Sequence, residues 1–255
     1  MLTRTVLQDY LTTRLQPQLF KDYCPNGLQV EGRQQIRRIV TGVTACQALL
    51  DVAVQQQADA VIVHHGYFWK GESPTVRGVQ KKRLHTLLQN DINLFAYHLP
   101  LDLHADIGNN VQLAAQMGWS VSGELPMATT PSYGLVGRLS QPMPADALAA
   151  QLTQQLGQKP LHIVGHQRTI ETIAWCTGAA QDFIEDAARA GVDAYISGEI
   201  SERTVHSARE WGIDYFAAGH HATERYGIQA LTAELATVFS AELTQIECVD
   251  IANPV

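Results

Sequence analysis

The sequence predicts an α/β fold with internal duplication and mainly parallel or mixed sheets. Apolar strand-like segments alternate with helical segments along most of the chain, and this alternation requires crossover connections between parallel strands. The same succession also occurs twice, since the strand–turn–helix segment at 40–47 resembles the one at 176–181. Internal duplication is therefore the simplest account of the pattern.

The first half begins with a helix and continues with strands and helices in alternation. Apolar residues recur at helical spacing from Val6 to Leu15, which is typical of an amphipathic helix. The run at 60–63 is apolar throughout, as buried parallel strands are. After the first helix, the predicted elements are a strand over 36–43, a helix over 46–57, a strand over 60–63, a helix over 78–89, a strand over 92–97 and a helix over 109–117.

The second half repeats this succession after a middle segment of different character. Residues 120–165 carry no chemical motif and predict a strand over 133–139, a helix over 144–156 and a strand over 161–164. The elements predicted beyond them are a strand that ends at Cys176, a helix near 183–187, a strand over 192–197, a helix over 202–211 and a strand over 213–217. We therefore predict two lobes, residues 1–125 and residues 126–255.

Composition and charge argue against several classes of protein. The chain of 255 residues carries a formal net charge of −7, which disfavours nucleic-acid and membrane binding because both need clustered Lys and Arg. The basic residues within 77–83 have helical spacing and predict a solvated face. Scattered cysteines, with neither a signal peptide nor a long apolar run, predict a cytoplasmic protein with reduced thiols.

Histidines and carboxylates follow the predicted strands of both halves. His98 precedes Asp102 by four residues and His220 precedes Glu224 by four residues, each after a strand with a similar lead-in. Sites in open α/β sheets form beyond the carboxyl ends of strands, and imidazole and carboxylate are ligands of zinc, iron(II) and manganese(II). We therefore predict a metal centre in the cleft between the two lobes.

A histidine doublet, His64 and His65, follows the apolar strand at 60–63. Adjacent residues of an extended strand point in different directions, so the doublet suits two neighbouring ions better than one. A carboxylate such as Glu224 can bridge two ions, and ions about 3.5–4 Å apart form the usual hydrolytic dinuclear centre. The doublet therefore predicts a centre with two ions.

Each histidine also has a structural interpretation. A single histidine at the end of a strand more often makes a structural hydrogen bond, and this interpretation is favoured for His85, His104, His162, His166 and His206. His104 is a partial exception, because it follows Asp102 closely and could support a ligand. The aromatic segment 67–72 leaves two interpretations open: contact with a heterocyclic substrate, or packing within the protein.

Several motifs together resemble the type 2 GTP cyclohydrolase I homologues, also called Nif-three-like proteins. They are the segments at 25–32, 63–66, 98–102, 108–110 and 219–224, and the resemblance covers essentially the whole chain. It is strongest to the short enterobacterial members. The resemblance implies two intertwined three-layer α/β/α lobes, two divalent metal ions per chain and a toroidal homohexamer. Histidine and carboxylate ligands suit Fe, Zn, Mn or Ni.

The resemblance also implies a set of site residues. The implied metal ligands are His64, His65, Asp102, His220 and Glu224. It pairs His65 with Asp102 on one ion and His64 with His220 on the other, and Glu224 bridges them. His98 and His221 are the candidate catalytic residues, because imidazole titrates near the working pH. The alternatives for His98 are to orient the site, to bind substrate or to transfer protons.

These observations favour a dinuclear metal-dependent hydrolase of a small nucleotide-like substrate, with GTP ring opening and formate release as the named candidate. One alternative is phosphoesterase or amidohydrolase chemistry at the same centre. Another is a non-catalytic metal-binding protein with a regulatory or assembly role. A ring that encircles DNA is disfavoured by the net charge of −7.

Overall fold

The computed structural model describes residues 1–127, 132–166 and 168–255. Within these ranges the chain forms two compact units. Unit 1 comprises Met1–Ile107 and Gly227–Ala252, and unit 2 comprises Gly108–Tyr226 and Asn253–Val255. None of the helices described is both long enough and apolar enough to span a membrane.

The strands and helices alternate along the chain as expected. In chain order they are β1 (Leu2–Thr3), α1 (Arg4–Leu15), β2 (Gly27–Val30), β3 (Gln35–Ile36), β4 (Arg38–Thr44), α2 (Gln47–Gln55), β5 (Ala60–His65), α3 (Gly78–Gln89), β6 (Asn93–Ala96), α4 (Leu99–Asp102), α5 (Asn109–Met117), β7 (Ser120–Glu124), β8 (Leu135–Met143), α6 (Ala145–Leu156), β9 (Leu161–Ile163), β10 (Ile170–Cys176), α7 (Ile184–Arg189), β11 (Ala194–Ser197), α8 (Glu202–Trp211), β12 (Asp214–Ala217), α9 (His220–Val238) and β13 (Gln245–Cys248). Short 3₁₀ helices occur at Pro17–Leu19 and Gln181–Phe183.

Side chains at the helix ends explain where several helices begin and end. The hydroxyl of Thr3 accepts a hydrogen bond from the Val6 amide and so satisfies one free donor at the start of α1. Ser201 and Thr204 form a capping box at the start of α8. The same helix ends at Gly212, whose φ of 64° is a left-handed conformation that glycine adopts without a Cβ clash.

The main sheet of unit 1 has the strand order β13-β4-β5-β6-β2. The first four strands are parallel, and β2 pairs antiparallel with β6 at the edge. Because β5 and β6 are parallel neighbours, their carboxyl ends meet at one edge of the sheet. The histidine doublet ends β5, and His98 follows β6 by two residues at the same edge.

Helices cover both faces of this sheet, which confirms the three-layer architecture for unit 1. Alternate residues of β4 point to opposite faces, so that Ile39 packs in one apolar cluster and Val40 in the other. The first cluster includes residues of α1 and α9, and the second includes residues of α2 and α3. The helical members of the two clusters are Leu7, Leu11, Leu15, Ile228, Leu231 and Leu235 in the first, and Leu49, Leu50, Ala53, Leu84 and Leu87 in the second.

Unit 2 contains a mixed sheet with the order β7-β8-β10-β11-β12-β9. The central strands β10, β11 and β12 are parallel, whereas β7, β8 and β9 pair antiparallel. One face packs against α5 and α6 around the buried Trp175, and the other packs against α7 and α8 around the buried Tyr195. Unit 2 is therefore also a three-layer structure, with more antiparallel pairing than unit 1.

A structural correspondence between the units supports internal duplication. Asp59 precedes β5 and accepts hydrogen bonds from the Arg37 and Arg38 amides at 2.7 and 2.9 Å, where β4 begins. Asp193 precedes β11 and accepts from the two amides at the start of β10, those of Glu171 and Thr172, at 3.0 and 2.9 Å. An aspartate at the corresponding position thus caps β4 in unit 1 and β10 in unit 2.

The division into units differs from the predicted lobes of 1–125 and 126–255. Strand β13 pairs in parallel with β4 and returns the C-terminal region to the sheet of unit 1. Strand β7 pairs with β8 and keeps residues 120–124 in unit 2. Strand pairing across long sequence separations therefore decides the division.

Candidate metal-binding residues

His64 is held so that only one of its ring nitrogens faces a carboxylate. It is the fifth residue of β5 and is 0% exposed. Its Nδ1 lies 3.1 Å from the carbonyl oxygen of Tyr97, which can only accept, so Nδ1 carries a proton. Its Nε2 lies 3.4 Å from Oδ1 of Asp102 in α4. The arrangement orients Nε2 and the carboxylate toward the same point, as in a metal site whose histidine is fixed from behind.

Asp102 lies beside His64, which points into the buried side where α4 begins. His65, the partner of Asp102 that the resemblance implied, is only partly buried. Nδ1 of His65 lies 3.2 Å from the hydroxyl of Thr44 on the adjacent strand. The implied pairing of Asp102 with His65 on one ion, and the assignment of Asp102 as a ligand, stay predictions.

The two rings of the doublet diverge less than an extended strand suggests. Their centroids are 4.4 Å apart, with an angle of 42° between the planes. His98 lies close to both, with centroid distances of 5.2 Å to His64 and 5.7 Å to His65. One ring nitrogen from each of the three lies within 4.8 Å of the others, so the group could hold a metal ion.

Asp22 orients His98, a role that the sequence analysis missed. Its Oδ1 lies 2.7 Å from His98 Nδ1, and its Oδ2 accepts from the Leu99 amide at 2.9 Å and from the Asn26 side chain at 2.8 Å. Burial by itself would raise the pKa of Asp22, but the hydrogen bond and charge of His98, with those from Asn26 and the Tyr23 amide, lower this pKa to about 2. Asp22 is therefore a carboxylate that fixes both the His98 ring and the start of α4.

The change Asp22→Asn should destabilise unit 1 by about 1–3 kcal/mol, because an amide cannot accept all the hydrogen bonds that the carboxylate accepts. The folded-state pKa is lowered from 3.8 to about 2, so the stabilisation is present above pH 3.8 and is lost as the pH falls toward 2. Chemical denaturation at several pH values measures the effect. Asp9→Asn, at an exposed position of α1, is the matched control. Equal stability of the two variants at neutral pH would contradict the assigned role.

The sequence left two interpretations open for the aromatic segment at 67–72, and each of them applies to a different residue. Tyr67 is buried, and its hydroxyl donates to the carbonyl oxygen of Ala45 at 2.7 Å, so it packs within the protein. Trp69 lies beside the histidines, with its ring 4.9 Å from that of His98 and 5.9 Å from that of His65. Trp69 is therefore the residue of this segment that could meet a bound molecule.

In unit 2, His220 and Glu224 lie one turn apart at the start of α9. Nε2 of His220 is 3.0 Å from Oε2 of Glu224, which is 3% exposed. Nδ1 is 2.7 Å from Oε1 of Glu199, a second partner that the sequence analysis missed. Burial disfavours the imidazolium, but hydrogen bonds and charges from Glu224 and Glu199 outweigh burial and raise the pKa of His220 to about 9.

Gly178 provides the space that the Glu224 carboxylate occupies. A Cβ at this position would overlap Oε1 of Glu224, and its φ of 69° is the left-handed conformation that favours glycine. The Gly178 amide donates to the Thr223 hydroxyl at 3.2 Å, and its carbonyl accepts from the Gly198 amide at 2.9 Å. Neither contact is predictable from the sequence, because a glycine after a strand indicates only a turn.

Four of the remaining histidines make the hydrogen bonds that the structural interpretation predicts, whereas His85 is exposed on α3. His162 stacks on Phe216 and lies 2.6 Å from Asp214, and His206 lies 2.9 Å from Glu202 on the same helix. The others that the sequence assigned to structural roles are His85, which is exposed, His104, which contacts Arg14, and His166, which contacts Asp193. His221 is buried and its amide donates to the Val255 carbonyl oxygen, and its catalytic role stays a prediction.

Comparisons with known proteins agree with the fold and with the motifs. The model of the family Duf34/NIF3 (NGG1p interacting factor 3) matches residues 2–254. A protein of Pseudomonas aeruginosa named GTP cyclohydrolase 1 type 2 homolog is 59% identical over 228 residues, which cover 89% of this chain and 90% of that protein. A Vibrio cholerae protein of the same name is 54% identical over 251 residues, which cover 98% of each chain. A solved structure described as "protein ybgI, unknown function" has a TM-score of 0.94 and 51% identity, and covers 100% of both chains.

Proposed function

Because the chain belongs to the Duf34/NIF3 family, we propose that it is a hydrolase that uses two divalent metal ions and acts on a nucleotide-like substrate. GTP ring opening with release of formate is the named candidate reaction. The relatives that carry the name GTP cyclohydrolase 1 type 2 homolog support this choice of substrate. The chemistry of the histidine–carboxylate pairs supports the metal ions.

One observation carries the proposal: a histidine in each unit makes the same pair of contacts through its two ring nitrogens. Nδ1 meets an oxygen acceptor and Nε2 meets a carboxylate, with His64 and Asp102 in unit 1 and His220 and Glu224 in unit 2. Metal-binding histidines usually hold their other ring nitrogen in this way, which fixes the tautomer and the ring. A divalent cation suits the space between an Nε2 lone pair and a carboxylate, so the donor sets fit such an ion.

We propose as metal ligands the five residues that the family's motifs imply. The proposed ligands are His64, His65, Asp102, His220 and Glu224. Imidazole and carboxylate ligands suit Fe, Zn, Mn or Ni, and availability often decides among them. Ligand binding requires deprotonated histidines, so metal uptake by the His220 pair releases a proton.

The protein's own residues would position the substrate and move protons. Bound ions would supply a water acidic enough to give hydroxide near neutral pH. His98 is the first proposed proton carrier, because Asp22 holds its Nδ1 and leaves its other nitrogen for exchange. His221 is the second. Trp69, whose ring lies beside those of His98 and His65, is suited to stack on a purine.

For GTP, water adds at C8 of the purine and the C8–N9 bond opens to give a formamide. A second water then cleaves the formamide, which releases formate and a free amine. The two steps consume two waters and need no oxidant. The second step is an amide hydrolysis, which a dinuclear centre is suited to perform.

Formate release from GTP tests the proposal. Protein loaded separately with Fe(II), Zn(II), Mn(II) or Ni(II) should release formate with at least one metal. Asp102→Asn should lower the rate by at least tenfold, because loss of a charged ligand weakens metal binding. Asp9→Asn, an equivalent change at an exposed position, should have no effect.

The other outcomes separate the alternatives. Phosphate release without formate would indicate phosphoesterase chemistry. Metal binding without turnover of nucleotides, aryl phosphates or cyclic amides would indicate a regulatory or assembly protein. Formate release that is equal in the wild type and in Asp102→Asn would refute the assignment of the metal ligands.

A further inference from the structure

We propose that unit 1 contains a phosphate-binding site at the end of its sheet opposite to the histidines. A cavity of about 520 Å³ lies where β4 begins and where the residues before β5 and β6 approach it. Three arginines line it: Arg33, Arg37 and Arg38. The ligand that this chemistry favours is the phosphate group of a small molecule, or free phosphate.

The cavity is positively charged within an acidic protein. Its only lining carboxylate among the described residues is Asp59. Asp91 lies 4.0 Å from Arg33 Nε, so the three arginines exceed these two carboxylates by one positive charge. The whole chain has a formal net charge of −7. Polar lining side chains, including Gln57, Asn90 and Thr244, could complete the hydrogen bonds to a phosphate. A local charge of this sign attracts anions against the overall charge of the protein.

Two of the arginines are already held in place. Arg33 donates to Asp59 Oδ1 at 3.0 Å and to the Asn90 carbonyl oxygen at 2.7 Å. Arg38 donates to Gln57 Oε1 at 2.7 Å. Because these guanidinium groups are fixed before a ligand arrives, less side-chain entropy is lost on binding.

Of the three arginines, Arg37 has the side chain that is available to bind a phosphate group. Its amide donates to Asp59 at 2.7 Å and its carbonyl accepts from the Thr244 amide at 2.8 Å, so its backbone is fixed. Its guanidinium makes no hydrogen bond or ion pair with any part of the chain that the structure describes. A guanidinium binds phosphate through two parallel hydrogen bonds, which a fixed backbone at the cavity wall would allow.

The duplicated fold shows that the arginines are not needed to begin the strand. In unit 2, Asp193 caps the same position, and Glu171 and Thr172 stand where Arg37 and Arg38 stand in unit 1. The cap requires only the two backbone amides. The arginines are therefore a feature of unit 1 that strand formation does not explain, and an anionic ligand does.

The cavity volume indicates a ligand larger than a single phosphate. Sites for small organic ligands typically enclose about 300–1,000 Å³. Besides its charged residues, the cavity has apolar lining from Val54, Ala58 and Ile92. A phosphorylated small molecule fits both features, and free phosphate would occupy only the charged part.

Calorimetric titration with inorganic phosphate and with adenosine monophosphate, at low ionic strength, tests the proposal. The change Arg37→Glu copies the residue of unit 2, so the backbone should tolerate it, and it should weaken binding by at least about tenfold. Arg37→Gln should weaken binding less. Arg77→Glu, at an exposed position outside the cavity, should leave binding unchanged. Thermal unfolding of each variant checks that the fold is intact.

The variant Glu224→Gln separates this site from the proposed metal centre. Phosphate binding that persists in Glu224→Gln and is weakened in Arg37→Glu would support the proposal, whatever the protein does to GTP. Stronger binding of the monophosphate would identify a phosphorylated molecule, and equal binding would identify free phosphate. Binding that Arg37→Glu leaves unchanged, binding that Glu224→Gln abolishes, or no binding of either probe would overturn it.

Discussion

Replacing Glu224 with glutamine should remove divalent metal from the protein while leaving the fold intact. Glutamine has nearly the same shape, so the packing at the start of α9 should persist. The amide carries no charge, and it cannot hold an ion as a carboxylate does. Loss of partners around a ligand typically costs 10–100-fold in metal affinity, so loss of a ligand itself should cost at least about 100-fold. Competition with a metal-sensitive dye measures the affinity.

The matched control for this change is Glu210→Gln, at an exposed position of α8. It should bind metal as the wild type does. The metal-free proteins should differ in a further way, because the raised pKa of His220 depends on Glu224. The stabilisation that protonated His220 gains from Glu224 is complete below pH 6.5 and is lost as the pH rises through about 9. Glu224→Gln should therefore be less stable than the wild type mainly at low pH. Unchanged metal affinity in Glu224→Gln would remove this residue from the centre.

The change Gly178→Ala, which adds one methyl group, should weaken metal binding almost as much as Glu224→Gln does. The new Cβ would occupy the position of Glu224 Oε1 and would lie 3.2 Å from His220 Nε2, so the carboxylate would have to move. The left-handed backbone at Gly178 would add a conformational cost of about 1–2 kcal/mol for any residue with a Cβ. We expect Gly178→Ala to lose both stability and metal affinity.

The variant Gly191→Ala separates the backbone cost from the displacement of the Glu224 carboxylate. Gly191 has a similar φ of 74°, but a Cβ there would meet nothing within 4 Å. It should therefore lose stability by a similar backbone cost and keep full metal affinity. Thermal unfolding and metal titration of the two variants make the comparison. Equal metal affinities in Gly178→Ala and Gly191→Ala would show that the space beside Glu224 is not required.

Local patterns predicted most helices and parallel strands of the fold. The helices predicted over 78–89, 109–117 and 202–211 coincide with α3, α5 and α8. These segments have clear periodicity and clear ends, such as Gly212 after α8. The assignment as an α/β fold followed from the same alternation, and the solved structure with a TM-score of 0.94 to this chain shares the fold.

Features that depend on distant contacts could not be predicted in this way. Strand β2 follows Pro25-Asn26 and reads as a loop, and it becomes a strand by pairing with β6. The sequence patterns do not predict the length of α9 either, although this helix begins with the His220–Glu224 pair. Tertiary pairing decides such elements more than local propensity does.

In the candidate site, too, local motifs predict some residues, and others are identified only by contacts between distant parts of the sequence. The motifs that contain His64, His98 and His220 stand out because they recur at strand ends. Asp22 and Glu199 orient two of these histidines from 76 and 21 residues away in sequence, and no spacing rule connects such partners. Residues that fix a ligand from behind are therefore visible only in the folded protein.

Metal content of the untagged protein, purified without chelator and measured by mass spectrometry, tests the central claim most directly. The account predicts about two transition-metal ions per chain, the number of a dinuclear hydrolytic centre. Protein that contains no metal and takes up none on reconstitution would contradict the account and would leave the histidine–carboxylate pairs as structural contacts.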